Sequence, residues 1–93
     1  PTAGSFFKNL PPEKPGEHRR AAGKYLELAG AKQMREGGAH VFEKHANIVI
    51  AGAGATARDV AVLTGRMAEA VKRQFGFELE PEVRFWGEVG GVG

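Results

Sequence analysis

The chain has 93 residues, no cysteine and a formal net charge of +2. That length makes one domain at most. The absence of cysteine excludes a disulfide framework, thiolate metal sites and a cysteine nucleophile, and so small a charge does not point to nucleic acid.

The elements follow in chain order. Residues 4–9, GSFFKN, set two phenylalanines almost at the first residue, where chains are usually polar and loose. Something must bury the pair, so residues 4–8 are read as a short strand. Because residue 1 is Pro and not Met, the chain is also read as a possible fragment of a longer one. NLPPEKPG (9–16) is a Pro-rich loop, since each Pro lacks an N–H and restricts the residue before it. A helix is expected from Glu17 or His18. Ala22, Tyr25, Leu26 and Ala29 form its apolar face, Gly23 lies inside it and Gly30 ends it. Gly37-Gly38 is a turn. AHVF (39–42) is a short strand, and NIVIA (47–51) is a stronger one, apolar enough to be buried on both faces. Thr56 is the expected N-cap of a second helix over about 57–75, with Asp59 near its positive end and Gly76 as its stop. EVRFW (82–86) is a last strand entered through Pro81, and VGGVG closes the chain. The order β-loop-α-β-β-α-β gives an α+β fold, a small mixed sheet of short strands with two main helices.

Charge is unevenly spread. Residues 1–35 carry seven basic against three acidic groups, a local +4, and the remainder a local −2. A basic third could face an anionic ligand, although on charge alone a solvated mixed surface is the better explanation. GAGATA (52–57) fits the dinucleotide fingerprint G-x-G-x-x-G/A between a strand and a helix. Glu78 or Glu80 stands roughly where the ribose-binding acid would be. Against this, the acid lies far along, the helix is long for that unit, and few residues remain to complete a sheet. His18, His40 and His45 lack the i, i+4 spacing of a helical zinc site, so no metal site is read. Taken alone, Ser5 is a structural residue outside any G-x-S-x-G elbow, and Glu82 is a carboxylate at the start of an edge strand.

Read together, GSFFKN (4–9), AAGKYLELAG (21–30), GGAHVFEKHA (37–46) and LEPEVRFWG (79–87) change that balance. In order and spacing, over residues 4–87, they resemble the C-terminal substrate-binding domain of the UDP-N-acetylenolpyruvoylglucosamine reductase (MurB) family. The resemblance implies that residues 1–93 are the substrate-binding domain of a cytoplasmic, FAD-dependent enzyme of peptidoglycan precursor synthesis. Its FAD-binding region would lie upstream. NADPH would be the reductant, and the substrate UDP-N-acetylglucosamine enolpyruvate would be reduced to UDP-N-acetylmuramate.

The same resemblance assigns roles. Ser5 matches the family's proton donor, and Glu82 its catalytic carboxylate near the substrate carboxyl. Asn9 matches a contact to the sugar nucleotide. Arg19 stands where Lys is common, with a guanidinium suited to phosphate. His45 borders the nucleotide. Leu10 replaces a usual Pro, which puts the path of loop 10–16 in doubt, and Tyr25 replaces a usual Trp. No run of about 18 apolar residues exists, so no membrane span is expected and, with the small charge, no nucleic-acid partner; the resemblance places NADPH away from GAGATA. The isolated 93 residues are expected to be inactive. Two other readings stay open: a non-catalytic UDP-sugar module, and a dinucleotide-binding fragment using GAGATA.

Overall fold

Val60, Leu63, Met67 and Val71 recur at helical spacing, and Ala57–Phe75 form the helix that spacing predicts, α2, with all four buried. The computed structural model describes residues 2–82. Thr56 caps α2: its Oγ1 accepts from the Asp59 amide at 3.0 Å, and the Asp59 carboxylate accepts from the Thr56 amide at 3.1 Å. This capping box satisfies two N–H groups that would otherwise be open at the helix start. Gly76 ends the helix at φ 80°, in the left-handed region where a Cβ is costly.

The first helix, α1 (Ala22–Leu28), is shorter than expected and starts later. Residues 17–21 are not helical, because Arg20 is paired with Leu10. The Leu10 amide donates to Arg20 O at 2.8 Å, and the Arg20 amide to Leu10 O at 3.0 Å. This exchange closes loop 11–19 and leaves Ala21 extended at the helix entrance. A long-range pairing of this kind has no periodicity, so the helix pattern overran it. Ala22 and Leu26 are fully buried, and Gly30 takes φ 85° after the helix, as its position predicts.

A 3-10 turn (Ala31–Gln33) leads into a strand the pattern did not reveal, β2 (Arg35–Glu36). With β1 (Thr2–Ser5), β3 (Ala39–Val41) and β4 (Ile48–Ala51) it makes a four-stranded sheet in the order β1-β4-β3-β2. The α+β class and the two main helices hold. The sheet, expected to be mixed, is antiparallel throughout the described residues. The short β2–β3 and β3–β4 connections permit nothing else, since parallel neighbours need a long crossover.

Burial of β4 on both faces is also corrected. Val49 is buried, while Ile48, Ile50 and Ala51 are half-buried. β4 is central in its sheet, but α2 packs on β2, β3 and β4, and Ala39, Val41 and Val49 share one face by register. His40 and Ile50, paired on the other face, are only half covered. Of the expected last strand, residues 83–86 lie outside the described residues, as does VGGVG. Its start is present: Pro81 bridges Phe7.

The core is one cluster that includes Phe6, Phe7, Leu10, Leu26, Val49, Leu63, Met67 and Leu79. Phe6 and Phe7 meet edge to face with centroids 4.9 Å apart. The pair near the chain start is therefore core, as its composition demanded.

Asp59 ties α2 to the sheet as well as capping it, because its Oδ2 also accepts from the Gly38 amide in the β2–β3 turn at 3.3 Å. Main-chain N–H bonds, first from Thr56 and then from Gly38, hold its carboxyl below the ordinary carboxylate range. A lowered folded-state pKa contributes stability that is full above the unfolded value of about 4 and is lost as pH falls through the folded one. Asp59→Asn is thus expected to lower the urea midpoint at pH 7, and the gap to the unaltered chain should close below about pH 4. A gap that stays constant down to pH 2 would contradict this account.

Candidate functional site

The five residues singled out in the sequence come from four segments, and hydrogen bonds tie each segment, directly or through Asn47, to residues 5–9. Segment 5–9 is its axis. On one side residues 80–82 run antiparallel to it: the Lys8 amide donates to Glu80 O at 2.8 Å, and the Glu82 amide to Phe6 O at 2.6 Å. This register sets Glu82 opposite Phe6, the residue that follows Ser5 in the chain. Ser5 and Glu82 are both exposed, and Lys8 and Glu80 pair across the same ladder at 3.9 Å.

On the other side stands Asn47. The Phe6 amide donates to Asn47 O at 2.8 Å, the Phe7 amide donates to Asn47 Oδ1 at 2.9 Å, and Asn47 Nδ2 donates to Phe7 O at 2.9 Å. Asn47 is buried and satisfied, and the sequence reading passed it over as a strand residue. A polar amide opening an apolar strand was the only available signal.

Asn9 lies at the end of the axis, against α1. Its Oδ1 accepts from the Ala22 amide at 3.2 Å, giving the helix start the acceptor that Ala21 lacks. Its Nδ2 has no partner among the described residues. Arg19 joins Asn9 directly, with Nη2 donating to Asn9 O at 2.8 Å, and remains exposed. Arg20 is used differently. Its Nε donates to Pro11 O at 2.9 Å and its guanidinium lies 4.6 Å from the Phe77 ring centroid. Part of the local positive charge therefore tethers loop 11–19, and this settles the loop's path with Leu10 in place. Tyr25 packs edge to face on Phe75 and Phe77, at 5.2 and 5.0 Å between centroids.

His45 meets the same helix. Its Nδ1 accepts from the Asn47 amide at 3.2 Å, so the neutral ring carries its proton on Nε2. A Cβ on Gly23 would stand 3.1 Å from His45 Cε1, tighter than ordinary contact. Gly23, which costs about 1 kcal/mol in a helix relative to Ala, thus makes room for the ring.

The glycine-rich turn 52–57 offers no phosphate site. In the dinucleotide unit a pyrophosphate sits on the helix N-terminus; here the Asp59 carboxylate already occupies that position. β4 is also antiparallel to both neighbours, not the first strand of a parallel βαβ unit. Turn 52–57 therefore does not fit the pyrophosphate of FAD or of a nicotinamide dinucleotide. A wide, open groove of about 440 Å3 follows α2, lined by Met34, Val62, Gly65, Arg66 and Glu69 among others, and contains none of the five site residues. Among the described residues no group of three or more His, Cys, Asp or Glu is placed to hold a metal ion, and no helix is long and apolar enough to cross a membrane.

Residues 1–86 match the family model described as UDP-N-acetylenolpyruvoylglucosamine reductase, C-terminal domain. The chain is 51% identical over 88 residues to the UDP-N-acetylenolpyruvoylglucosamine reductase of Moorella thermoacetica, covering 95% of this chain and 27% of the relative. It is 48% identical to UDP-N-acetylenolpyruvoylglucosamine reductase 2 of Symbiobacterium thermophilum, covering 94% and 26%, and 44% identical to the Chloroherpeton thalassium reductase, covering 94% and 28%. The chain thus spans little more than a quarter of the length of these relatives.

Proposed function

The chain belongs to the family of the C-terminal domain of UDP-N-acetylenolpyruvoylglucosamine reductase, and from this we propose that it is the substrate-holding, proton-donating part of such a reductase. The substrate is UDP-N-acetylglucosamine enolpyruvate and the product UDP-N-acetylmuramate, a peptidoglycan precursor made in the cytoplasm. FAD, with NADPH as reductant, belongs to the length of the relatives that this chain does not span. The observation that supports the reading is the ladder of residues 6–8 with 80–82, which pairs the Glu82 segment with the segment that follows Ser5.

Saturating the enolpyruvyl double bond takes a hydride at the vinyl carbon and a proton at the carbon bearing the carboxylate. The hydride comes from the reductant held outside this chain. Ser5 gives the proton from Oγ and is reprotonated by solvent. A hydroxyl is a weak acid, so the step needs alignment and a polarising surround. Glu82 is the group that supplies it, as the carboxyl side chain set near the substrate carboxyl where negative charge develops. Asn9 Nδ2 and the exposed Arg19 guanidinium are the groups for the sugar nucleotide, with Arg19 reaching the diphosphate. His45 lies on the same border.

The test is NADPH consumption dependent on the enolpyruvyl sugar nucleotide, by the full-length protein carrying this chain and by the 93 residues alone. Turnover by the first and none by the second is the expected result; no turnover by the full-length protein refutes the reading. Arg19→Ala should weaken substrate binding about tenfold or more, in line with roughly 1.5–3 kcal/mol for a hydrogen bond to a charged group. Calorimetric titration with the substrate measures this, and an unchanged affinity would remove Arg19 from the site.

A further inference from the structure

Asn47 is the one buried side-chain amide in the described core, and all of its bonding goes to the segment that carries Ser5 or to His45. Its side chain reads both the N–H and the C=O of Phe7, its carbonyl takes the Phe6 amide, and its amide is held by His45 Nδ1. A second observation concerns β1. Thr2 faces Ile50 and Ser5 faces Ile48, so three steps along β1 match two along β4. One extra residue is therefore inserted between Thr2 and Ser5. Such bulges bend a strand and re-aim the side chain that follows. A bulge leaves the ladder locally unpaired, and without a restraint the strand could slip back into register, turning Ser5 to the other face. Asn47 supplies the restraint just past the bulge. Only a short amide can give one acceptor and one donor to the same peptide neighbour at this reach.

We propose that Asn47 is a positioning residue that locks the bulged register of β1 and so sets the direction of the Ser5 hydroxyl. The inference rests on the functional reading above. Asn47 touches no reacting atom. It acts through the main chain of Phe6 and Phe7, and its bond to His45 couples the Ser5 segment to the nucleotide border.

Two arms test it. In the 93-residue chain, Asn47→Asp keeps the acceptor for the Phe7 amide but sets two oxygens against each other at Phe7 O. Hydrogen exchange at the Phe6 and Phe7 amides should quicken at least tenfold more than exchange in α2. In the full-length reductase, kcat should fall at least tenfold with KM within about threefold, and the solvent isotope effect on kcat should rise as proton transfer becomes slower. Relative to the unaltered enzyme, the Asn47→Asp rate should recover as pH falls, because a protonated carboxyl regains the missing donor. Asn47→Ser, which brings in no charge, is the second variant if Asn47→Asp does not fold. Faster exchange at Phe6 and Phe7 with kcat and isotope effect unchanged would overturn the inference and leave Asn47 a purely structural residue. Unchanged exchange at both amides would overturn it too. If the unaltered full-length protein does not reduce the enolpyruvyl substrate, the functional reading falls and takes this inference with it; activity in the unaltered enzyme with the variants unimpaired sinks the inference alone.

Discussion

Ser5→Ala in the full-length reductase is expected to lower kcat by ~10²–10⁴-fold, the range a positioned general acid contributes, with KM for the sugar nucleotide changed by no more than a few-fold. The reason is that Ser5 is not one of the groups proposed to hold the nucleotide. Asn9 and Arg19 hold each other at 2.8 Å and anchor to α1, and nothing in that linkage runs through the Ser5 side chain. Ser5 is exposed at the end of β1, so removal of its oxygen opens no core cavity and leaves the fold intact. The loss should therefore fall on the proton step alone. Ser5→Cys, which keeps a donor at nearly the same place, should recover part of the rate. Steady-state kinetics with circular dichroism as a folding control decides the matter, and a Ser5→Ala enzyme within threefold of normal kcat would remove Ser5 from the role.

The largest effect on stability is expected at Leu26. Leu26→Ala should cost about 2–5 kcal/mol, the transfer of the lost groups plus the cavity left behind. Native domains are stable by about 5–15 kcal/mol, and one of this size sits toward the lower end, so the variant should be partly unfolded at 37 °C. Leu26 is fully buried. α1 is only seven residues long, too short to persist without its packing. Ala22 and Leu26 are the residues it buries, so losing Leu26 loosens the helix start that donates to Asn9 and faces His45. Urea denaturation should show a lower midpoint, and substrate affinity should fall with it. A midpoint shift worth under ~1 kcal/mol would mean that the site relaxes around the gap.

Some of this protein was decided within short windows of sequence. α2 is the clearest part: four apolar residues at helical spacing, a Thr-x-x-Asp start and a Gly stop act locally, and the helix runs from 57 to 75 as they dictate. The Phe pair announced a core because two adjacent aromatic rings are costly to leave in water, and both are buried. Ser5, Asn9, Arg19, His45 and Glu82 were named through the family resemblance, since each alone reads as an ordinary surface residue. What only the tertiary structure decided rests on pairings distant in sequence. The Leu10–Arg20 exchange delays α1, α2 covers one face of β4 and leaves Ile48 and Ile50 half open, and Asp59 fills the place a phosphate would take at GAGATA. The bulge before Ser5 and the Asn47 bracket belong here as well. A hydrogen bond between residues forty positions apart leaves no period in the sequence, so the geometry that aims Ser5 existed only once the chain had folded back on itself.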